Sequence, residues 1–361
     1  MKRAYNFNAG PAALPEWVLH EAKEHWLNFN DTGMSLMELS HRSKDYEAVH
    51  NEAKELLTSL LSIPDNYEIL FLQGGASLQF TMIPMNLLPK SQTAYYALTG
   101  VWSEKAMKEA SKLGNTAIST SSKNDNYTYI PDHEQINIPD DAAYLHITSN
   151  NTIFGTQWSS FPSNLSVPLI ADMSSDILST PIDVSQFGVI YAGAQKNLGP
   201  SGVTVVIIRK DLIKEDPALP TMLSYHTHAK NNSLFNTPPT LGIYLLSLVL
   251  KWVEKQGGVE GIAAINNEKA KHLYEVIDQS NGFYRGHAEK TSRSKMNVTF
   301  TLQSEDLTKD FLREAKEAGF VGLNGHRSVG GCRASIYNAV PLEHVIALST
   351  FMKDFQLKYQ Q

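Results

Sequence analysis

The chain has 361 residues, 42% hydrophobic and 19% charged, enough to bury a sizeable core in about two domains. Its net charge of -6 lacks the basic excess that nucleic acid or an anionic membrane surface attracts, so neither is expected as a partner. The single cysteine, Cys332, excludes an intrachain disulfide framework and any multi-cysteine zinc or iron-sulfur site, and no metal is expected.

The opening stretch "MKRAYNFNAGPAALPEW" has no apolar segment of signal-peptide length, and no run of about eighteen apolar residues follows it. A reducing, cytoplasmic setting is the expectation. Residues 44–61, "KDYEAVHNEAKELLTSLL", place Tyr46, Val49, Ala53, Leu56, Leu57 and Leu60 on one helical face, with Ser43 as N-cap. β-branched and aromatic runs then recur at 67–73, 93–99, 142–148, 167–172, 188–192 and 203–209, with helix-like stretches such as 101–114 between them. That alternation predicts an α/β layer with a mostly parallel sheet. The apolar segment "LGIYLLSLVLKWV" (241–253) is too short to span a bilayer and contains Lys251, so it reads as a buried helix within 239–254. A glycine-rich break, "KQGGVEG" (255–261), precedes a helix at 259–278, a strand at 296–302, a helix at 305–318, a strand at 332–338 and a helix at 341–356. The expected organisation is an N-terminal segment 1–15, a large domain 16–256 and a smaller C-terminal α/β domain 257–361.

Ligands of open α/β sheets sit beyond the carboxyl ends of the strands, so the residues just after each strand carry the information. "GGASLQF" (74–80) follows the first run; its glycines let a phosphate approach main-chain N–H groups at a helix start. It is not a P-loop, because the Lys-Ser/Thr ending is missing. "DMSSD" (172–176) puts Asp172 at a strand end, and Lys196 in "AGAQKNLGPSG" (192–202) follows one strand later. Taken singly, such an Asp is an ordinary turn residue and such a Lys an ordinary solvated one. Together they meet the demand of pyridoxal phosphate, which needs a lysine amine on its aldehyde carbon and a carboxylate on its ring nitrogen. Trp102 offers a ring to stack on it, and Thr152 a hydroxyl for its phenolic oxygen. Two His-Arg pairs, His41-Arg42 and His326-Arg327, with Arg333 close behind, suit a substrate carrying several negative charges.

The stretches "FNAGPAALP", "SHRS", "GGAS", "GVWSEKA", "SNNTIFGTQW", "IADMSSDILS", "YAGAQKNLGPSG", "FNTPPT" and "GHRSVGGCRASIYNA" run in order over nearly the whole length. Through them the chain resembles the phosphoserine aminotransferases among the class V pyridoxal phosphate enzymes. The resemblance implies fold type I, with a mostly parallel seven-stranded sheet flanked by helices and a smaller C-terminal α/β domain. It implies Lys196 as the Schiff-base lysine, Asp172 on the ring nitrogen, Trp102 on the ring face and Thr152 on the phenolic oxygen. Ala76, Ser77 and Gln195 would hold the cofactor phosphate, joined by Asn236 and Thr237 from the neighbouring subunit of a homodimer. Arg333 would clamp the α-carboxylate, and His41, Arg42, His326 and Arg327 the distal phosphate of phosphoserine or distal carboxylate of glutamate. The reaction implied is reversible amino transfer between O-phospho-L-serine and 2-oxoglutarate in serine biosynthesis, with 4-phosphohydroxy-L-threonine of pyridoxine biosynthesis left open as a second substrate. The chain departs from some relatives in having Ser77 where they have Arg, and Asn8 and Ala9 where they have Ser, which affects only the phosphate contacts. Two other readings remain. Another class V transferase or a cysteine desulfurase would share the fold, but the only candidate nucleophile, Cys332, stands in a strand before Arg333. A non-catalytic phosphate-binding α/β protein would use Lys196 as an ion-pair partner alone.

Overall fold

The structure is a computed structural model that describes residues 3–327 and 329–360. Seven strands form its main sheet: β1 (Tyr67–Leu72), β2 (Thr93–Leu98), β3 (Asn115–Ser121), β4 (Ala142–Thr148), β5 (Leu169–Asp172), β6 (Val189–Gly193) and β7 (Thr204–Arg209). Their spatial order is β1-β7-β6-β5-β4-β2-β3, and only β7 runs antiparallel to its neighbours. The carboxyl ends of the other six therefore share one edge, where such sheets bind ligands. Strand residues alternate between two cores, as a sheet covered on both faces requires. Ile69, Phe71, Ile190, Ala192, Val205 and Ile207 face one side, and Leu70, Leu72, Val189, Tyr191, Val206 and Ile208 the other. The edge strand β3 was not apparent in the sequence, because "NTAISTS" is polar and half-exposed and lacks the apolar signal of its neighbours.

The helix at Lys44–Leu61 forms as predicted, and the Ser43 side chain accepts from the Tyr46 N–H at 3.3 Å. Its buried face is turned slightly from the expected one: His50 and Leu61 are buried, while Leu56 and Leu60 are half-buried at its margin. The helix predicted at 101–114 spans Val101–Ala110 and closes in turns toward Gly114. The strand predicted at 332–338 ends at Ser335, because the chain then bends so that Ile336, Tyr337 and Val340 turn their carbonyls onto Lys269.

Beyond Gly257 a long helix, Gly258–Gln279, leads to a three-stranded antiparallel sheet of β8 (Tyr284–Gly286), β9 (Asn297–Leu302) and β10 (Cys332–Ser335). The helices Glu305–Glu317 and Leu342–Tyr359 cover it, and its core includes Phe283, Phe300, Phe311 and Phe355. The first residues belong to this unit too. Tyr5–Asn6 pairs in parallel with Phe320–Val321, and Phe7 is buried in the same core. From there the chain crosses to the main sheet, where the Ala12 N–H donates to the Gln195 carbonyl at 2.9 Å.

Lys269 is fully buried, and its Nζ donates to the carbonyls of Ile336, Tyr337 and Val340 at 2.9, 2.8 and 3.2 Å. These bonds fix the bend that follows the strand bearing Arg333. A buried acceptor stripped of its donor costs about 1–3 kcal/mol. Lys269→Met is therefore expected to lower unfolding stability by about 3 kcal/mol, read as a fall in the urea midpoint at unchanged slope.

Candidate active site

Glycine opens the first wall of the site. After β1, Gly74 caps the helix Gly75–Leu87 at φ +86°, and a Cβ there would meet Leu78 Cβ at 2.6 Å. This sharp turn aims the free N–H groups of the helix start toward the carboxyl edge, a favourable setting for an anion. Gly75, Ala76 and Ser77 line a cavity of about 310 Å3 there. After β2, the helix starting at Val101 presents Trp102, whose Nε1 donates to Thr152 Oγ1 at 3.0 Å. After β4 come Thr148, Asn150, Thr152 and Ile153, after β5 Asp172, Ser174 and Ser175, and after β6 Gln195 and Lys196. Ala9 and Gly10 enter from the N-terminal segment, and His326 and Arg333 from the C-terminal unit. Gly10 has φ +142°, and a Cβ there would sit 3.4 Å from Lys196 Cγ, so the crossing segment passes close against the lysine.

Lys196 Nζ lies 5.8 Å from the centre of the Trp102 ring. Burial pushes its amine below the ordinary lysine value and Arg333 adds to that, while Asp172 and Asp176 act in the opposite sense. Asp172 is buried, and burial raises its carboxyl above the usual range, partly offset by Lys196 and by the Ser174 N–H that donates to Oδ1 at 2.9 Å. Beneath them, His146 shares a 2.8 Å hydrogen bond with the Tyr191 hydroxyl, and burial drives its imidazole down to about 3. The floor therefore adds no positive charge near Asp172.

Arg333 is held by a bond from Nη1 to the Thr152 carbonyl at 3.1 Å. Two buried polar atoms among the described residues have no hydrogen-bond partner although their residues line the cavity, Thr148 Oγ1 and Arg333 Nε. His326 is pushed below its ordinary value by burial and by the positive charges of Arg333, Arg327 and Lys105. The cavity mouth is thus cationic.

Nine of the residues singled out from sequence meet at this cavity: Ala76, Ser77, Trp102, Thr152, Asp172, Gln195, Lys196, His326 and Arg333. His41, Arg42, Asn236, Thr237 and Arg327 do not line it. Arg42 and Thr237 are exposed, and Asn236 Nδ2 bonds Gln73 Oε1 at 3.4 Å and the Thr237 carbonyl at 3.1 Å. Cys332 is buried in the C-terminal core, where burial pushes its thiol up, a setting opposed to nucleophilic chemistry. Sequence reasoning passed over Thr148, Asn150, Ser174, Ser175 and Asp176. The stretch "DMSSD" contained three of them, but small polar residues after a strand look like any turn.

A buried polar seam joins the lysine loop to the C-terminal unit. Asn197 Nδ2 donates to the carbonyls of Ser175 and Ile177 at 3.1 and 3.3 Å, and Oδ1 accepts from the Asn338 N–H at 3.1 Å. Asn338 in turn donates to Leu178 O at 3.0 Å and accepts from Asn266 at 2.9 Å.

The family model described as Aminotransferase class-V matches residues 4–348. The phosphoserine aminotransferase of Geobacillus kaustophilus is 68% identical over 360 residues, 99% of this chain and 100% of the relative. The solved phosphoserine aminotransferase from Bacillus circulans subsp. alkalophilus superposes with a TM-score of 0.98 at 58% identity, covering 99% of each chain. A phosphoserine aminotransferase from Trichomonas vaginalis, solved with pyridoxal phosphate bound, superposes at 0.92 with 40% identity, covering 97% of this chain and 100% of that one.

The seam gives a direct test. Asn197→Ala leaves the Asn338 N–H and two carbonyls without their partner and is expected to cost about 2–3 kcal/mol. Amide exchange should speed up over 194–199 and at Asn338 while the sheet centre stays protected, measured by hydrogen exchange.

Proposed function

The chain belongs to the class-V aminotransferase family, whose cofactor is pyridoxal phosphate, and on that footing we propose that it moves an amino group reversibly between O-phospho-L-serine and 2-oxoglutarate, giving 3-phosphooxypyruvate and L-glutamate. The observation that carries the reading is the meeting of Lys196, Asp172, Trp102, Thr152 and Arg333 at one cavity formed by five strand ends of the main sheet, the N-terminal segment and the C-terminal unit. The cavity fits the cofactor on its own features. A glycine-opened helix start suits a phosphate, the Trp102 ring centre lies 5.8 Å from the lysine amine, a buried carboxylate lines the same cavity, and two buried polar atoms have no protein partner. No helix among the described residues is long and apolar enough to cross a membrane. A cytoplasmic role in serine biosynthesis is part of the same reading, as is the division into 1–15, 16–256 and 257–361; a C-terminal core distinct from those on the main sheet supports the last two, while Phe7 of the first segment packs into that C-terminal core.

Pyridoxal phosphate supplies, when bound, an electron sink that lets an amino acid give up its α-proton. In this reading Lys196 Nζ is the amine that bonds the cofactor. Its free amine would carry the α-proton, a role helped by the burial that lowers its basicity. Asp172 would keep a proton on the ring nitrogen, Trp102 would lie on the ring face, and Thr152 would donate its hydroxyl to the phenolic oxygen. Ala76 and Ser77 offer helix-start N–H groups to the phosphate, with Gln195 beside them. Arg333, whose Nε has no protein partner, binds the substrate α-carboxylate, and His326 with Arg327 receives the distal anion.

His41, Arg42, Asn236 and Thr237 fall outside the chain's own cavity. The proposal assigns them to the neighbouring subunit's site in a homodimer, where the first pair completes the distal-anion pocket and the second reaches the cofactor phosphate.

Borohydride reduction of the holoenzyme followed by peptide mapping is expected to leave a pyridoxyl group on Lys196, and a label elsewhere, or none, overturns the enzyme reading. Arg42→Ala and Arg327→Ala are each expected to raise KM for phosphoserine by about tenfold to a hundredfold, the loss of one charge-assisted contact. Alanine as donor should be unaffected. Unchanged phosphoserine kinetics would remove both residues from the pocket.

A further inference from the structure

Asp176 has no part in the reaction above, yet its carboxyl is buried, and through Ser149 it adjoins the strand end that carries Asp172. Oδ1 lies 2.5 Å from Ser149 Oγ, and Oδ2 accepts from Gln157 Nε2 at 3.1 Å. Ser149 Oγ also lies 2.9 Å from the main-chain oxygen of Asp172, and Gln157 Oε1 accepts from the Lys295 N–H at 2.9 Å. A hydroxyl has one proton to donate. Were Asp176 ionised, the Ser149 proton would serve either the carboxylate or the Asp172 carbonyl, and the other close oxygen pair would have no hydrogen between them. With Asp176 protonated, each contact is used once and in one direction: Lys295 N–H to Gln157, Gln157 to Asp176, Asp176 to Ser149, Ser149 to the Asp172 carbonyl.

The charged and titratable groups facing Asp176 are Asp172, which opposes its ionisation, Lys196, which favours it, and the Tyr337 phenol. Burial outweighs the bonds from Ser149 and Gln157 and pushes the carboxyl up to about 7. If Lys196 bonds the cofactor and Asp172 its ring nitrogen, no cation is left over for a second carboxylate.

We propose that Asp176 is a positioning residue working as a neutral acid: it orients Ser149 so that the hydroxyl fixes the main chain of Asp172, and it ties that strand end to Lys295 of the C-terminal unit. Only the consequence for Asp172 rests on the function proposed above; the hydrogen-bond direction does not. Asp176→Asn preserves the pattern, since its amide donates to Ser149 and accepts from Gln157. Asp176→Ala removes both bonds.

Infrared spectra of the holoenzyme test the protonation. A carboxylic-acid carbonyl band is expected below neutral pH, absent in Asp176→Asn, displaced in Ser149→Ala, and fading in the wild type as pH rises through about 7. Linkage gives a second readout on cofactor-free protein. The folded value lies above the unfolded one of about 3.9, so between the two only the folded state holds the proton, and stability falls as pH rises. The melting temperature of the wild type should therefore drop relative to Asp176→Asn from about pH 4 to about 7. Cofactor affinity should stay within about threefold in Asp176→Asn and weaken about tenfold or more in Asp176→Ala, the loss of a buried hydrogen bond. Absence of the band, parallel melting curves, or an Asn variant as weak as the Ala variant would each overturn the proposal. If the variants do not fold, the wild-type band and its pH dependence still decide. A failure of the cofactor reading shows up separately, as no pyridoxyl label on Lys196 with the band intact.

Discussion

Two groups of opposite charge at one cavity organise the structure, the buried Asp172 carboxylate at the end of β5 and the half-buried Lys196 amine past the end of β6. Neither is comfortable without water: burial raises the acid and lowers the base, and each partly restores the other. Such a pair is poor material for stability, because desolvation offsets most of the attraction. It is good material for chemistry, because both groups are driven toward the pH range where protons move. The neutral His146 and Tyr191 below add no competing charge, so the carboxylate remains available for a cationic ring nitrogen.

The rest of the fold holds that pair in place. Parallel strands covered on both faces bring the carboxyl ends together, and close-packed apolar alternation leaves little freedom in their register. The N-terminal segment starts in the C-terminal unit and then crosses over the lysine loop, so Gly10 and Ala12 connect the two halves at the site. Asn197, Asn338 and Asn266 make a second connection, and Asn150 a third, donating to Asn297 Oδ1 at 2.8 Å. Losing any of these buried bonds costs more than a bond gained at the surface returns. The two units are coupled where Arg333 and His326 meet the residues beyond the sheet.

The sheet strands were readable in the sequence wherever both faces are buried, because solid apolar runs such as "VTVVIIR" have no other explanation. The edge strand Asn115–Ser121 was not, since its half-exposed, serine- and threonine-rich face carries no periodic signal. Lys196, Asp172, Trp102 and Arg333 stood out for their chemistry or their motifs. Asp176 did not, although it lies in the same quoted stretch as Asp172, because its meaning depends on Ser149 and Gln157, which come from a different strand and its following hairpin. His41, Arg42, Asn236 and Thr237 were found through motifs alone; a single chain does not bring them to the cavity, and their reading depends on a second copy.

Asp172 is the carboxylate proposed to keep a proton on the cofactor's ring nitrogen. Nitrogen NMR of the holoenzyme, reconstituted with cofactor labelled at that ring position, reports the protonation state directly in wild type and in Asp172→Ala. The ring nitrogen is expected to be protonated near neutral pH in the wild type and to lose that proton in the variant. A nitrogen that is unprotonated in the wild type, or equally protonated in both, would contradict the role given to Asp172.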